Sequence, residues 1–407
     1  MRKRVVLVIV SVLALAGTTY FWMNRTPPKP AVIATDVPTV VPTAISARAP
    51  ELLPIDDDRR LKQSILSAGD YLVRQQLVSG ELPYQVNFLN DDRSSTPSNI
   101  RLMGGTGALY TVCRISGDSS YCDAGDLALK HYLKNLLSDS TRFKGTCLYT
   151  NGACPLGGAS ATIDAIYKRW QATGNVMLDE QDLLASAVDL GYFIVSMQRP
   201  NGGFYHSFDP HFAGAVDPDY VSPTFNGESL YALLQLYEMT DNEFWLEQAR
   251  EVNEYLLTQP VTEDYGHSYA LAMFARLDAL TKTDQAYAKQ IAELIIVGQV
   301  RSLNPVNSSV STATKLEALS ALAQALTLAD ADHAWLDREI RTFITFVQAR
   351  QLPDNDCNFE ITREIKMRYE GGIFNTCDDP SIRVDGVQHW VNSLTTYLEY
   401  QGLIREK

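Results

Sequence analysis

The sequence lacks the short motifs that mark several well-known catalytic centres. It has no Gly-rich phosphate-binding loop, no nucleophile elbow and no His-Glu-x-x-His zinc motif. It also has no Cys-x-x-Cys pair, and no cysteines and histidines stand at zinc-finger spacing. We therefore predict neither a bound cofactor nor a metal centre from the sequence.

The chain also lacks an excess of positive charge. Its 407 residues include 35 Lys and Arg against 48 Asp and Glu, which gives a formal net charge of −13. Binding to nucleic-acid phosphates needs clustered Lys and Arg, so a nucleic-acid partner is not expected. The hydrophobic fraction of 45% is large enough for a substantial core, which excludes a chain that is disordered throughout.

Charged residues are absent between Val5 and Met23, directly after the basic residues 2–4. This apolar run is just long enough to cross a bilayer as a helix, and its basic flank predicts that the N-terminus stays inside. We predict a transmembrane signal anchor over residues 1–23; a signal peptide cleaved after Ala16 is the alternative. Both alternatives export the rest of the chain, and the anchor would hold it at the membrane, in the periplasm or outside the cell.

Residues 24–54 contain seven prolines and no apolar periodicity, which predicts an extended linker before a domain over residues 55–407. The six cysteines all lie in that domain. An even number of cysteines in an exported chain favours disulfides. Proximity suggests three pairs, although other connectivities stay open: Cys113 with Cys122, Cys147 with Cys154, and Cys357 with Cys377.

Helical segments repeat in pairs along this domain. Amphipathic helices are predicted to begin near residues 61, 119, 178, 242, 283 and 331, and helices rich in Ala and Leu near residues 98, 160, 225, 266, 311 and 385. Helices of the second kind are apolar nearly all round, which indicates burial. The pattern predicts an all-α fold, a closed toroid of six helical hairpins with the buried helices inside. A superhelical solenoid is the alternative, but its repeats are usually more even in length.

Two segments of the chain are typical of one group of proteins with a toroid fold. Gln198–Phe204 reads Gln-Arg-Pro-Asn-Gly-Gly-Phe, which looks like a turn of such repeats, and Phe225–Tyr231 opens an inner helix. With the hairpin pattern, they make residues 60–405 resemble the six-hairpin α/α toroids, which include many glycoside hydrolases, polysaccharide lyases and sugar epimerases. Terpene cyclases have related toroids, but their Asp-rich motif is absent here. The resemblance implies a toroid fold and a carbohydrate-active function.

Catalytic candidates stand where outer helices lead into inner ones. Those loops share one rim of such a toroid, and three of them are long: residues 80–97, 199–224 and 351–383. Asp209 lies in the second of these loops, and Glu228 lies in the first turn of the inner helix that follows it. Asp385 and His389 stand four residues apart near the start of the last inner helix. We predict these four as catalytic residues. Glu228 and Asp385 also suit helix N-termini, where they would act as caps.

Further rim residues are candidates for binding a substrate. Aromatic faces suit sugar rings, and an arginine can hold a carboxylate through two hydrogen bonds. A structural ion pair is the alternative for Arg101. The candidates are Tyr84, Asn99, Arg101, Tyr205, His206, Tyr220, His267 and Arg383.

These residues suggest three alternative functions. The first is a membrane-tethered enzyme that hydrolyses a polysaccharide or oligosaccharide with two carboxylates, drawn from Asp209, Glu228 and Asp385. The second is a lyase or uronate epimerase that moves a C–H proton with His206, His389 or Tyr205, while Arg101 neutralises the sugar carboxylate. The third is a non-catalytic module that binds a glycan or a protein.

Overall fold

The computed structural model describes residues 58–94, 99–139, 141–209, 214–215, 219–298 and 307–404. The predicted signal anchor and the predicted linker lie outside these residues. Within the described part of the chain, no helix is long and apolar enough to cross a membrane.

Six helices form an outer layer, and each buries one side. They are α1 (Asp58–Gln75), α3 (Ser119–Leu133), α5 (Leu183–Ser196), α7 (Glu243–Leu257), α9 (Lys282–Gly298) and α11 (Ala334–Gln348). In α11 the buried residues include Leu336, Ile340, Phe343, Ile344 and Val347. Their spacing of three or four residues places them on one helix face, so that face packs inward and the other meets solvent.

Six further helices form an inner layer and are buried on most sides. They are α2 (Asn99–Ser116), α4 (Leu156–Thr173), α6 (Phe225–Thr240), α8 (Tyr265–Arg276), α10 (Ser309–Leu328) and α13 (Val384–Tyr400). The short helix α12 (Arg363–Tyr369) lies in the loop before α13. Small residues are frequent in the inner helices, as in α10, where Ala and Ser alternate with Leu. This composition lets neighbouring helices approach closely while the Leu side chains fill the space between layers.

Polar caps fix the points at which several outer helices begin. Asp118, Asp182 and Asn242 each accept a hydrogen bond from a backbone N–H in the first turn of the helix that follows. Helix α5 begins at residue 183, later than the predicted 178. The reason is that Met177–Leu178 (β6) pairs with Gln181–Asp182 (β7) as a short hairpin before the cap.

The inner helices form a closed ring. Each packs against the next in the order α2, α4, α6, α8, α10 and α13, and α13 packs in turn against α2. A solenoid would leave its first and last helices apart, so this contact is the one that the toroid prediction requires. The six hairpins also begin close to the predicted positions.

Short strands tie the rim loops together. β1 (Gln85–Asn87) pairs with β2 (Asp92–Arg93) and with β10 (Ser381–Arg383); β3 (Leu136–Ser138) pairs with β4 (Thr146–Leu148); and β8 (Ser207–Asp209) pairs with β5 (Cys154–Pro155) and β9 (Gly214–Ala215). These strands are too short to show the alternation by which a sequence predicts a strand. The β1–β10 pair joins the first and last rim loops, and the backbone N–H of Val384 donates to the carbonyl of Tyr84 beside it, at 2.9 Å.

The three disulfides are those that proximity suggested. Cys113 is bonded to Cys122, Cys147 to Cys154, and Cys357 to Cys377. The first joins α2 to α3, and the second joins β4 to β5 just before α4. The third closes part of the long loop that leads to α13, so all three brace segments next to the inner ring.

Candidate active site

A cavity of about 490 Å³ lies inside the ring of inner helices. Its lining starts at the first turns of these helices, with Arg101 and Thr224, and reaches their last turns, with Arg276 and Glu399. Small-molecule sites commonly have volumes of roughly 300–1,000 Å³, so the cavity has a suitable size for a small ligand. Its wall carries five carboxylates: Asp164, Glu228, Glu317, Asp385 and Glu399.

Two arginines and one aspartate form a cluster at the mouth. Arg383 donates to both carboxylate oxygens of Asp385, from Nε to Oδ1 at 2.9 Å and from Nη2 to Oδ2. Arg101 Nε lies 3.1 Å from Asp385 Oδ2. The ring of Tyr84 packs against both guanidinium groups, at 5.4 Å from Arg101 and 5.5 Å from Arg383. Asp385 is therefore an ion-pair partner that orients two cations.

Glu228 faces the mouth from the opposite side of the ring. It lies in the first turn of α6, which stands three helices away from α13 in either direction. The hydroxyl of Tyr265 donates to Glu228 Oε1 at 2.7 Å. Burial raises the pKa of Glu228, while the hydrogen bond from Tyr265 and the charge of His389 act in the opposite direction. A carboxyl group in this position holds its proton to a higher pH than an exposed one.

A histidine pairs with a carboxylate one turn further into the cavity. His389 Nδ1 lies 2.5 Å from Glu317 Oε2, and the amide of Asn392 donates to Glu317 Oε1 at 2.9 Å. When the imidazole is neutral and Glu317 is ionised, Nδ1 must be the donor because a carboxylate only accepts, and Nε2 is then the ring atom able to accept a proton. His389 thus pairs with Glu317 instead of the predicted Asp385.

Two tyrosines that line the cavity stack on each other. The rings of Tyr231 and Tyr269 stack with centroids 5.1 Å apart and planes 19° from parallel. Burial raises the pKa of both hydroxyls, so both side chains stay neutral. The hydroxyl groups of Tyr269 and Thr396 are 3.1 Å apart. Aromatic side chains in a cavity wall suit contact with the apolar face of a sugar ring.

The other charges of the cavity are also paired, Arg276 with Glu238 outside the lining at 2.8 Å and the rest with one another. Lys168 donates to Asp164 at 2.8 Å, and the amide of Gln235 donates to the other oxygen of Asp164 at 2.8 Å. At the far end, Arg114 pairs with Glu399. These pairs offset the cost of burying each ion in a medium of low polarity.

Two glycines allow the helix ends that carry the site to meet. Gly227 in α6 and Gly266 in α8 bring the two backbones together at their first turns. A Cβ atom on Gly227 would lie 2.2 Å from Asp264 Oδ2, and one on Gly266 would lie 2.4 Å from the backbone N of Glu228. The buried carboxylate of Asp264 caps α8 by accepting from the backbone N–H of His267 at 3.2 Å. The close approach places Glu228 beside Tyr265.

Five of the predicted site residues line the cavity. These are Arg101, Glu228, Arg383, Asp385 and His389. A sixth, Tyr84, lies against the two arginines without forming part of the lining. The structure thus brings together three of the four predicted catalytic residues.

The other predicted residues lie elsewhere in the described part of the chain. Asp209 belongs to β8, which pairs with β5 and β9 outside the cavity. The ring of Tyr205 packs under Arg199 at 4.7 Å, and His206 packs against the exposed Tyr220 at 4.7 Å. Asn99 begins α2 without lining the cavity. None of these residues lines the cavity, which corrects the expected position of Asp209 and its neighbours.

His267 lies behind the ring wall, between α8 and the outer helices. It is only 1% exposed, and its Nε2 lies 3.0 Å from Asn253 Oδ1. Burial lowers the pKa of His267 to about 4, so its ring is neutral. Asn253 in turn donates to Asp284 at 2.8 Å. The expected contact of His267 with a substrate is therefore corrected to a contact within the core.

Sequence reasoning missed residues further inside the cavity, above all Asp164, Glu317 and the stacked tyrosines. The sequence contained one signal for Glu317. This residue stands in an Ala- and Leu-rich helix whose other charged residue is Lys315. A carboxylate in a helix that is otherwise buried needs a partner, and this requirement could have marked it.

Comparisons with known proteins bear on the fold. No protein-family profile matches the sequence, and no curated protein matches it. Solved structures do match. Cellobiose 2-epimerase from Spirochaeta thermophila is 13% identical, with a TM-score of 0.60 over 85% of this chain and 98% of that one. A GH76 α-mannanase from Bacteroides thetaiotaomicron is 12% identical, with a TM-score of 0.54 over 86% and 98%.

A third similar structure is the unsaturated glucuronyl hydrolase from Bacillus sp. GL1. It is 13% identical, with a TM-score of 0.58 over 82% of this chain and 96% of that one. All three are sugar-active enzymes with the α/α toroid fold. At such low identity the likeness shows the fold alone. The resemblance to the six-hairpin α/α toroids is thereby confirmed, and this chain has their fold.

The burial of Glu228 predicts how a substitution there changes stability with pH. Because the folded-state pKa is raised, the contribution of Glu228 to stability is present below its unfolded pKa and is lost as pH rises through the folded pKa. Glutamine cannot ionise, so Glu228→Gln abolishes this loss of stability at high pH. We expect it to stabilise the protein at pH 8 relative to pH 4, by on the order of 1 kcal/mol, the usual size of a single-site effect.

The measurement is a thermal or urea unfolding curve at each pH, with the exposed Glu247→Gln as the matched control. The control should show no such pH-dependent gain. Equal effects of Glu228→Gln at both pH values would contradict the assigned burial.

Proposed function

We propose that the chain is a carbohydrate-active hydrolase whose reaction takes place in the ring cavity. The observation that carries the proposal is Glu228, a half-buried carboxyl group that lines the cavity and whose pKa is raised by desolvation. Glycoside hydrolysis needs an acid of this kind to protonate the leaving oxygen. The sugar-active enzymes that share the fold support the class of substrate by analogy.

Glu228 is the proton donor in this proposal. Tyr265 holds it by a hydrogen bond of 2.7 Å, which fixes the carboxyl group towards the cavity. The neutral Tyr231 and Tyr269 lie one turn deeper in the cavity lining and would provide aromatic contact for the sugar. The glycosidic oxygen would then lie near Glu228 when a sugar ring rests on the tyrosines.

His389 is the group that takes a proton from the attacking water. Glu317 fixes the ring with Nδ1 as donor, so Nε2 is ready to accept. Glu317 is a positioning residue, because it acts through His389. Asp385, predicted as a catalytic carboxylate, is assigned to holding Arg101 and Arg383 instead, since both of its oxygens accept from guanidinium groups.

A lyase or epimerase reaction is the second candidate, and the pair of His389 and Glu317 favours it. The same imidazole nitrogen that accepts a proton from water can accept one from a sugar carbon. Of the residues that the sequence suggested for this chemistry, His206 and Tyr205 lie outside the cavity and His389 lines it. The two reactions leave different products.

The test of hydrolysis uses the full-length chain, purified with its disulfides formed in a detergent without sugar groups. It is incubated with neutral and uronic-acid polysaccharides, and new reducing ends are measured. We expect Glu228→Gln to lower the rate by about 10² to 10⁴, the usual contribution of a general acid. Activity should fall on the alkaline side at a pH above the ordinary glutamate range, because Glu228 must be protonated.

Glu247→Gln, on the exposed face of α7, is the control and should keep the wild-type rate. Full activity of Glu228→Gln would contradict the proposed acid. New unsaturated sugars, or solvent deuterium fixed on a sugar carbon, would replace hydrolysis by the lyase or epimerase reaction. Sugar binding without any product would favour the non-catalytic module.

We also propose that the protein is tethered to the membrane with its body in the periplasm or outside the cell. The charge-free run of residues 5–23 after a basic start supports this. We expect the full chain to stay with membranes after alkaline carbonate extraction, and a form without residues 2–23 to appear in the soluble fraction. A mature protein that begins at residue 17 would contradict the anchor and establish the cleaved signal peptide.

A further inference from the structure

We propose that Asn392 and Lys168 are positioning residues of the cavity. They hold the carboxylate of Glu317 in one orientation, and Glu317 in turn selects the imidazole nitrogen of His389 that carries the proton. The inference deepens the proposed function and rests on it for one point only, the role of His389 as the group that accepts a proton.

Both carboxylate oxygens of Glu317 have a partner in helix α13. Oε2 lies 2.5 Å from His389 Nδ1, and Oε1 accepts from the amide of Asn392 at 2.9 Å. His389 and Asn392 stand three residues apart in the sequence, so they lie on the same face of α13. A carboxylate that is held at both oxygens cannot rotate about its bond to the side chain, so Oε2 stays directed at Nδ1.

The amide of Asn392 is oriented by the groups on its two sides. Lys168 Nζ donates to Asn392 Oδ1 at 3.3 Å, and Asn392 Nδ2 donates to Glu317. An ammonium group only donates, and an ionised carboxylate only accepts. The reversed amide would place Nδ2 against Lys168 and Oδ1 against Glu317, and both contacts would be repulsive. The orientation of this amide therefore follows from its neighbours.

Lys168 reaches Asn392 across an intervening helix. Lys168 belongs to α4 and Asn392 to α13, and α2 stands between these two helices in the ring. Gly107 of α2 leaves the space for the lysine side chain, because a Cβ atom there would lie 3.2 Å from Lys168 Cδ. Asp164, one turn earlier in α4, holds the ammonium group at 2.8 Å. The path of Lys168 thus has a steric basis in α2 and an ionic one in α4.

A second amide competes for the same nitrogen of His389. Gln388 Nε2 lies 3.4 Å from His389 Nδ1. Nδ1 can accept from Gln388 only in the tautomer that carries its proton on Nε2, and it can donate to an ionised Glu317 only in the tautomer that carries it on Nδ1. The contact with Glu317 is the shorter of the two. A correctly held Glu317 therefore selects the tautomer in which Nε2 is able to accept a proton.

The experiment measures the tautomer and needs no substrate. The full-length chain is purified with its disulfides formed, in a detergent without sugar groups, and its histidine rings are labelled with nitrogen-15. Spectra are recorded at an alkaline pH at which the signals of His389 no longer change, and His389→Gln assigns these signals by their absence. A protonated ring nitrogen and a bare one differ widely in chemical shift, and couplings to the ring protons tell Nδ1 from Nε2. We expect His389 in the wild type to carry its proton on Nδ1.

Asn392→Leu is the main variant, because leucine has the same branching as asparagine and no polar atom in the side chain. Without the donor at Oε1, the carboxylate of Glu317 can turn away and the amide of Gln388 gains access to Nδ1. We expect the chemical shifts of the two ring nitrogens of His389 to move towards each other, because the tautomers exchange quickly and the spectrum shows their average. Lys168→Met should produce a smaller change in the same direction.

Ser393→Ala is the matched control, at the next residue of α13. Ser393 is also buried, and its hydroxyl donates to the carbonyl of Trp390 in the same helix, away from Glu317. This variant should keep the wild-type spectrum of His389. Melting temperatures of all variants check the fold, and Lys168→Met carries the test if Asn392→Leu does not fold.

The steady-state rate gives a second measurement. Only molecules with a bare Nε2 can accept a proton there, so kcat of Asn392→Leu should fall with the fraction of that tautomer, by about tenfold if one molecule in ten retains it. KM should stay unchanged, and Ser393→Ala should keep the wild-type rate. A higher KM with an unchanged kcat would assign Asn392 to contact with the substrate and would overturn the proposal.

Two results of the spectra would also overturn it: a wild-type His389 that carries its proton on Nε2, and an Asn392→Leu spectrum equal to that of the wild type. An unchanged spectrum of Lys168→Met would overturn the part that concerns Lys168. Because the spectra need no substrate, a protein without hydrolytic activity would contradict the proposed function and leave this test of the positioning residues intact.

Discussion

Closure of the inner ring, made where α13 packs against α2, is the constraint on which the candidate site depends. The six inner helices are apolar on the side that faces the outer helices. They can carry polar side chains on the side that faces the ring axis only if the ring encloses a cavity there. Side chains on that axis are then removed from bulk water, and each polar group must find a partner inside the ring. The pairing of Glu317 with His389 and of Lys168 with Asp164 follows from this requirement.

The same enclosure gives the carboxylates different roles. Asp385 accepts from two arginines, and Asp164 accepts from a lysine and an amide, so both are held in ion pairs. Glu228 has a tyrosine hydroxyl as its nearest donor, and burial raises its pKa. A carboxyl group whose pKa is raised by desolvation can act as an acid beside carboxyl groups that anchor cations in the same site. That difference is the chemical basis of the proposed hydrolysis.

The architecture was predictable from the sequence because its signals are local. Inner helices expected near residues 225, 266 and 385 begin at 225, 265 and 384, since the change from polar loop to apolar helix is visible in a short window. The disulfides also join near neighbours. The interior of the site was less predictable, because it depends on which helices meet. Glu317 and His389 stand 72 residues apart, and only the packing of α10 against α13 makes them partners.

The wrong predictions about site residues have the same origin, because they too concern contacts between segments distant in the sequence. Asp209 and His206 stand in a loop whose composition suits a sugar site, and loop length alone placed them at the mouth. Asp209 instead belongs to β8, which pairs with β5 and β9, and strands of two or three residues leave no pattern in the sequence. Asp385 was predicted at the correct position, but its partners come from α2 and β10, which a single helix pattern does not show.

The pKa of Glu228 in solution tests the account most directly. Carbon-13 labelling of the glutamate side-chain carboxyl groups allows an NMR titration, and the spectrum of Glu228→Gln assigns the signal by its absence. If ring closure desolvates this carboxyl group, its pKa lies above the ordinary value of about 4.3. A titration at the ordinary value would mean that water reaches Glu228 freely, and it would contradict both the enclosed site and the proposed acid.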